Sequence, residues 1–344
     1  MLKYTVRRLI QGIPTFFGIT VLSYMLMLAA PGNPIELLTF DPNISVEARE
    51  KLAIQAGLND PWPLQYLTWL IGNDWRPVDM NANGVLEEGE YGVRQGILRG
   101  DFGRSFFYKR AAITVIGDRI PATLELGVAA LITSLVLGIP IGVIAAIRRG
   151  GIFDNFSRVM AVVFNAVPSF WLGIMMILFF GSILGLLPMN GRCGTVLVGG
   201  CPPLYARLEY LLMPTFVLAA GGIAGYSRYM RTSMLETISR DYIRTAHAKG
   251  LPGRTVWFKH AARNAMIPIA TFLGPALTGL WGGAVITERV FGWPGVGRLA
   301  VEAVTQRDYP VVMAIVILGA VSTIIGYIVS DILYALIDPR IRFS

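Results

Sequence analysis

Histidine occurs twice in the 344 residues, as His247 and His260, and cysteine twice, as Cys193 and Cys201. Neither H-E-x-x-H nor G-x-S-x-G is present, which removes the common metallopeptidase and serine-hydrolase signatures. There is no Walker A pattern either, so the chain carries no nucleotide of its own by that device and does not itself hydrolyse ATP. Both histidines read as packing or surface residues. Charge is scarce too: 15% of residues are Asp, Glu, Lys or Arg, against 54% hydrophobic. That balance excludes an ordinary soluble domain and points to an all-α polytopic membrane protein, with the lipid bilayer as its solvent.

Six apolar segments are long enough to cross about 30 Å of hydrocarbon. They run approximately over 9–30, 121–147, 157–187, 210–230, 265–288 and 310–335. The first follows Lys3, Arg7 and Arg8 and reads as a retained anchor, its apolar core being longer than that of a signal peptide. The net charge of +8 gathers beside these spans, where the positive-inside bias accounts for it, so nucleic acid is not an expected partner. Lys3 to Arg8, Arg148 to Arg158, the 228–263 loop and Arg340 with Arg342 all fall on one side if both termini are cytoplasmic. Segment 31–120 is then outside, with twelve acids and nine bases.

Cys193 and Cys201 fall in the second outer loop with seven residues between them, among Gly194, Gly199, Gly200 and Pro202. An oxidising exterior favours a disulfide, the alternative being two free thiols. Ionisable residues are nearly absent within spans two to six. Glu125, Glu288 and Asp331 lie near span ends and read as interface or helix-end residues. An ion-driven secondary transporter, which usually carries ionisable groups deep in its spans, is therefore disfavoured.

Outside the membrane, a helical pattern covers about 46–56 with Ser45 as N-cap, and a second apolar stretch runs Pro63 to Ile71. Between them and Gly100, the run Asp79-Met80-Asn81-Ala82-Asn83-Gly84-Val85-Leu86-Glu87-Glu88-Gly89-Glu90 matches D-x-[DN]-x-[DN]-G-x₅-E. Asp79, Asn81 and Asn83 would offer side-chain oxygens to calcium and Val85 its carbonyl. Glu87 would act through water, and Glu90 would bind bidentately.

The longest polar loop, Arg228 to Arg263, holds eight Lys/Arg against Glu236 and Asp241. Each such charge at mid-membrane costs roughly 2.5–3.5 kcal/mol, so the loop stays in water. Asp241 to Leu251 reads as a short helix, capped by Ser239 or Asp241 and closed by Gly250. A second, about Gly253 to Ala265, puts Val256, Trp257, His260, Ala261 and Asn264 on one stripe. Two short helices joined at a glycine make a knob that fits a partner's groove.

Here the chain resembles the inner-membrane permeases of ATP-binding-cassette importers. Their cytoplasmic E-A-A…G motif is represented by Arg244-Thr245-Ala246…Gly250, with the leading Glu-Ala-Ala replaced. The dipeptide, oligopeptide and nickel branch, in its first-permease form, is suggested by Ala30-Pro31-Gly32-Asn33-Pro34, Gly100-Asp101-Phe102-Gly103-Arg104-Ser105 and Val167-Pro168-Ser169-Phe170-Trp171. Phe291-Gly292-Trp293-Pro294-Gly295-Val296-Gly297, Arg307-Asp308-Tyr309-Pro310 and Asp338-Pro339-Arg340-Ile341 point the same way. The resemblance covers nearly the whole chain. It implies a type I importer permease fold of six transmembrane helices in a bacterial or archaeal cell membrane, with an extracytoplasmic α-rich domain between helices one and two. Residues 1–30 would form helix one, 31–120 the outer domain, and 121–344 a five-helix core with a coupling loop over 231–264. Asp241, Tyr242, Arg244, Ala246, Lys249 and Gly250 would engage the motor. The implied partners are a second permease, two ATP-binding subunits and an extracytoplasmic peptide-binding protein. The implied cargo is a short peptide, with oligosaccharides and nickel chelates as alternatives.

Overall fold

The computed structural model describes residues 2–29, 60–79, 90–194, 201–280 and 284–337. Among them the chain is helical: the backbone pairings Pro77 with Tyr91 and Arg104 with Ala111 are isolated bridges, not strands. The helices are α1 (Leu2–Ala29), α2 (Trp62–Ile71), α3 (Ala112–Gly117), α4 (Ile120–Ile147), α5 (Ile152–Ala166) and α6 (Ser169–Met176). Then come α7 (Leu208–Ile238), α8 (Asp241–Ala248), α9 (Gly253–Thr255), α10 (Ala262–Ala265) and α11 (Ile267–Gly279). The series ends with α12 (Val285–Val290), α13 (Val296–Thr305) and α14 (Tyr309–Ile337). Two π-helical stretches interrupt the series, Ile177–Ile183 after α6 and Val256–Ala261 between α9 and α10.

Among the described residues, four helical stretches are long and apolar enough to cross a membrane, or up to five if the bent pair α5 and Ser169–Ile183 is one span. Two expected spans differ from a straight helix. The third, placed at 157–187, starts at Ile152 and bends by 102° between Ala166 and Ser169. Pro168 lacks an N–H and pushes Val167 to φ −76°, ψ 123°, so the first helix must stop there. The fifth, placed at 265–288, consists among the described residues of α11 and the six-residue α12. Thirteen residues of α11 rise only about 20 Å.

The chain divides into two compact units. One comprises 1–9, 119–299 and 321–344; its backbone is the packing of α4 on α7. Small residues set that contact. A Cβ on Gly142 would collide with the Ser227 carbonyl and Met230, and one on Gly222 with the Ser134 side chain. Close approach lets the Ser134 hydroxyl donate to the carbonyl of Ala219 at 3.2 Å as well as to its own helix at Ala130, 2.7 Å. α5 is tied to α7 by Arg231, whose Nε and Nη2 donate to the buried Asp154 at 2.6 and 2.8 Å. Buried Val143, Met230, Met234, Ile243, Val256 and Ala261 form one apolar cluster beneath α8.

The other unit comprises 10–118 and 300–320. Its core joins Tyr24 of α1, Trp69 and Leu70 of α2, Ile97, and Met313 and Ile317 of α14. The Tyr24, Tyr66 and Trp69 rings lie 5.4–5.9 Å apart, centroid to centroid. Tyr66 also shares a 2.9 Å hydrogen bond with Thr20 across α1 and α2. Beside α2, the Arg99 guanidinium holds Asp74 through two hydrogen bonds of 2.5 and 2.6 Å and donates to the Ile71 carbonyl. That hydrogen bonding keeps the Asp74 carboxyl below its ordinary range.

Candidate functional site

The 241–264 knob is built from its anchor outwards. Ile243 and Ala246 of α8 are buried in the apolar cluster, while Asp241, Tyr242, Arg244, Lys249 and Gly250 are exposed. Ala246 therefore seats the helix from inside, and the other five expected coupling residues form its outer surface. The helix closes as a Schellman cap: Gly250 sits at φ +73°, its N–H donates to His247 at 2.9 Å, and Leu251 N–H reaches Ala246 at 3.4 Å. The start differs from expectation. Arg240 occupies the N-cap position with no side-chain bond, and the Ser239 hydroxyl turns back to Glu236.

The second helix is also altered. Its π turn, Val256–Ala261, has more residues per turn than an α-helix, so Ala261, Ala262 and Ala265 go into the core and Asn264 stays exposed. Asn264 instead donates to the Tyr242 hydroxyl at 2.9 Å, and His247 stacks edge-on to Trp257 at 5.0 Å. These two contacts lock the short helices into one piece.

A second centre forms around Glu288, which is fully buried rather than an interface residue. One carboxylate oxygen accepts from Thr123 at 3.0 Å and the other from the Arg298 N–H at 2.8 Å. Thr123 in turn accepts from Val296 N–H at 2.7 Å, and Trp293 Nε1 donates to the Ala122 carbonyl at 2.8 Å. A Cβ on Gly295 would overlap the Glu288 carboxylate, which is why the loop between α12 and α13 needs glycine there. The Phe291–Gly297 motif is thus a wrapping for one buried acid that also pins the start of α4. Alongside lies a cavity of about 230 Å³ lined by Thr123, Leu126, Leu218, Tyr226 and Glu288.

Glu125 likewise has a defined role. It accepts from Arg207 at 2.7 and 2.8 Å and from Arg192 at 3.0 and 2.5 Å. Cys193 and Cys201 stand paired with their Cα atoms 5.8 Å apart, next to both arginine attachments. In the other unit, Asp308 accepts from the Ser105 hydroxyl and from Phe106 N–H at 3.1 Å, joining the 100–105 and 307–310 motifs. Of the expected calcium ligands, Asn81, Asn83, Val85 and Glu87 lie outside the described residues. Asp79 and Glu90 are described. The loop ends are held together by the Pro77–Tyr91 bridge and by Val78 N–H donating to the Glu90 carbonyl at 3.2 Å. Glu90 Oε2 is buried and takes no hydrogen bond among the described residues.

Long apolar helices, one of them broken at a proline, together with a polar knob on an apolar socket, define the class: a multi-pass membrane protein. Residues 138–343 match the model of the family described as binding-protein-dependent transport system inner membrane component, and 1–127 match its N-terminal companion. The chain belongs to this family of transport permeases. It is 38% identical to the oligopeptide transport system permease protein AppB of Bacillus subtilis over the full length of both. It is 35% identical to the dipeptide permease DppB of Escherichia coli K12 and to the di/tripeptide permease DppB of Pseudomonas aeruginosa, with 99% of each chain covered. Among solved structures, a chain of the MetNI methionine ABC transporter matches at 18% identity, covering 64% of this chain and 97% of that one, with a TM-score of 0.48.

Proposed function

We propose that this chain is the membrane-spanning, non-catalytic permease subunit of an ATP-driven importer of short peptides. The observation that carries this reading is the end-to-end identity, 35–38%, to permeases named for dipeptides and oligopeptides. In this reading six spans cross the cell membrane, both termini are cytoplasmic and 31–120 is extracytoplasmic. The chain pairs with a second permease, two ATP-binding subunits and an extracytoplasmic peptide-binding protein.

The geometry of the knob supports a coupling step. The exposed face of α8, carrying Asp241, Tyr242 and Arg244, together with the Lys249–Gly250 cap that follows it, seats in a cleft of an ATP-binding subunit. Ile243 and Ala246 pass the motion inward to α4 and α7, because an interlocked apolar cluster moves as a body. The test is peptide uptake into vesicles holding the complete complex, with Tyr242→Ala and Arg244→Glu introduced together. Loss of ATP-dependent uptake with unchanged complex assembly in detergent is expected. Undiminished uptake refutes the coupling role, and ATP-dependent uptake of only a sugar or nickel chelate refutes the cargo.

Two further features belong to this reading. The 79–90 loop is a structural calcium site of weak affinity, on the order of 10⁻⁴–10⁻³ M, facing an exterior where calcium is abundant. The spacing of its oxygens supports this, as do its closed neck and the buried Glu90 oxygen, which has no hydrogen-bond partner among the described residues. Calorimetry on the whole complex should show calcium heat that Glu90→Gln abolishes; equal heats in both would reject the site. The Cys193–Cys201 pair is a disulfide in the oxidising exterior, and mass spectrometry under non-reducing conditions decides it.

A further inference from the structure

A second cavity lies outside the unit that holds the knob. It measures about 680 Å³ and lies within the 10–118 and 300–320 unit. Its wall is apolar and aromatic, with Tyr24 and Met27 near the end of α1, Trp69 of α2, Phe102, and Tyr309 and Met313 at the start of α14. Its charged lining is Arg94, Arg104, Lys109 and Asp101. Among the described residues no carboxylate pairs with the three cations. Asp101 spends its oxygens on backbone N–H groups, those of Gln95 at 3.3 Å and Gly103 at 3.0 Å, and Arg104 donates to the Lys109 carbonyl. The cavity lining therefore carries three cations to one carboxylate, beside an apolar and aromatic wall.

Two further observations bear on what fills it. Lys109 and Arg307, at φ 55° and 54°, hold a left-handed backbone that side-chain-bearing residues seldom adopt. Both flank the Ser105–Asp308 junction that shapes one wall, and strain of this kind persists where surrounding structure fixes a site. Independently, the segment around the cavity exposes large apolar and aromatic side chains: Trp62, Leu67, Ile71, Trp75 and Phe107. Trp-rich apolar surface at the ends of spanning helices is the signature of the bilayer interface. Binding a soluble ligand gives no reason for that surface.

We infer that this cavity binds an anionic phospholipid of the outer leaflet, with the headgroup phosphate at Arg94, Arg104 and Lys109 and the proximal acyl chain against Trp69, Phe102 and Met313. Guanidinium forks match phosphate oxygens, and a juxtamembrane basic pocket attracts anionic lipid. A soluble phosphate ester shares the headgroup chemistry but leaves the apolar wall uncovered. The inference rests on the outward placement of 31–120 given above. Labelling of Val93→Cys from outside intact cells tests that placement separately, so its failure is distinguishable from failure of the lipid site.

The experiment uses the complete complex in nanodiscs of phosphatidylglycerol or phosphatidylcholine, followed by detergent extraction and native mass spectrometry. Wild type should retain phosphatidylglycerol and not phosphatidylcholine. Arg94→Gln and Lys109→Gln should each reduce retention by about fivefold. Met27→Trp, which fills the apolar part and leaves every cation, should reduce it as well. Equal retention of both lipids, or of phosphatidylglycerol by wild type and the cation variants, overturns the proposal. Displacement of the lipid by glycerol 3-phosphate at equal concentration would also overturn it, in favour of a soluble phosphate.

Discussion

Arg207 grips Glu125 with a two-pronged ion pair, Nη1 to Oε1 at 2.7 Å and Nη2 to Oε2 at 2.8 Å, across 82 residues of sequence. Its Nε also donates to the Pro202 carbonyl, so one side chain ties the Cys-bearing loop to the first turns of α4. Both partners are nearly buried, with side-chain exposures of 7% and 11%. Glu125→Ala strands two arginines and should cost about 3–5 kcal/mol, read as a fall in thermal midpoint of the detergent-solubilised protein. A shift no larger than that of Arg110→Ala, whose pair with Asp118 is exposed, would show the cluster to be ornamental.

Gly250 separates conformation from contact. Nothing lies within 4 Å of a Cβ built there, so a side chain meets no obstacle in the chain itself, only the left-handed φ of +73°. Gly250→Val should cost about 1–3 kcal/mol of cap stability, and Gly250→Asn far less, since Asn tolerates that region. If ATPase docking fails for Val and survives for Asn, the glycine serves the cap. Failure of both places the partner's surface against the bare backbone.

Thr123→Val keeps the shape of a buried residue while deleting its hydroxyl. Glu288 loses a donor and the Val296 N–H loses an acceptor, so a destabilisation of about 1–3 kcal/mol follows. Hydrogen exchange should show early opening at 296–298. Unchanged protection there would break the link drawn between Glu288 and the loop it wears.

Gly142→Leu addresses the α4–α7 contact. The new side chain meets the Ser227 carbonyl and Met230, so overpacking of about 1–3 kcal/mol is expected and the helices must part. Gly221→Leu on α7, where a Cβ meets nothing, is the control and should leave the thermal midpoint within error.

The Asp74–Arg99 pair has a pH signature. Hydrogen bonding from Arg99 holds the Asp74 carboxyl below its ordinary range, so the contribution is complete above the usual carboxylate range and is lost as pH falls through the folded value. Between pH 5 and 8 the exchange protection around Ile71 and Gln95 should not change with pH. A loss already at pH 6 would assign the effect to another group.

Much of this fold was legible in residue order, for local reasons. Gly250 announced the end of α8 because only a left-handed residue closes that cap, and Pro121 appears in the first turn of α4. Apolar length gave the long helices. What stayed hidden depends on partners distant in sequence. Glu288 looked like a helix-end acid because its hydrogen bonds come from Thr123, 165 residues earlier, and from its own following loop. Glu125 does lie near a helix end, in the first turns of α4, but its partners stay hidden for the same reason, its arginines lying 67 and 82 residues away. The π turn at 256–261 has no composition of its own, so the stripe drawn through His260 and Asn264 was set by an α period that the chain does not keep.

The break at Val167–Pro168 has a mechanical consequence. Val167 N–H closes back onto Val163 and Leu172 N–H onto Pro168, and among the described residues no main-chain hydrogen bond runs from Ser169 onward to Ala166 or earlier. The two arms can therefore swivel about two backbone torsions without rupturing a single rung on either side. An unbroken rod of the same length would have to surrender several rungs for each such turn. The joint itself therefore carries no main-chain rung, and what holds its angle is side-chain packing: Asp154 of one arm on Arg231 of α7, and Gly173 of the other against Val290 and Phe291.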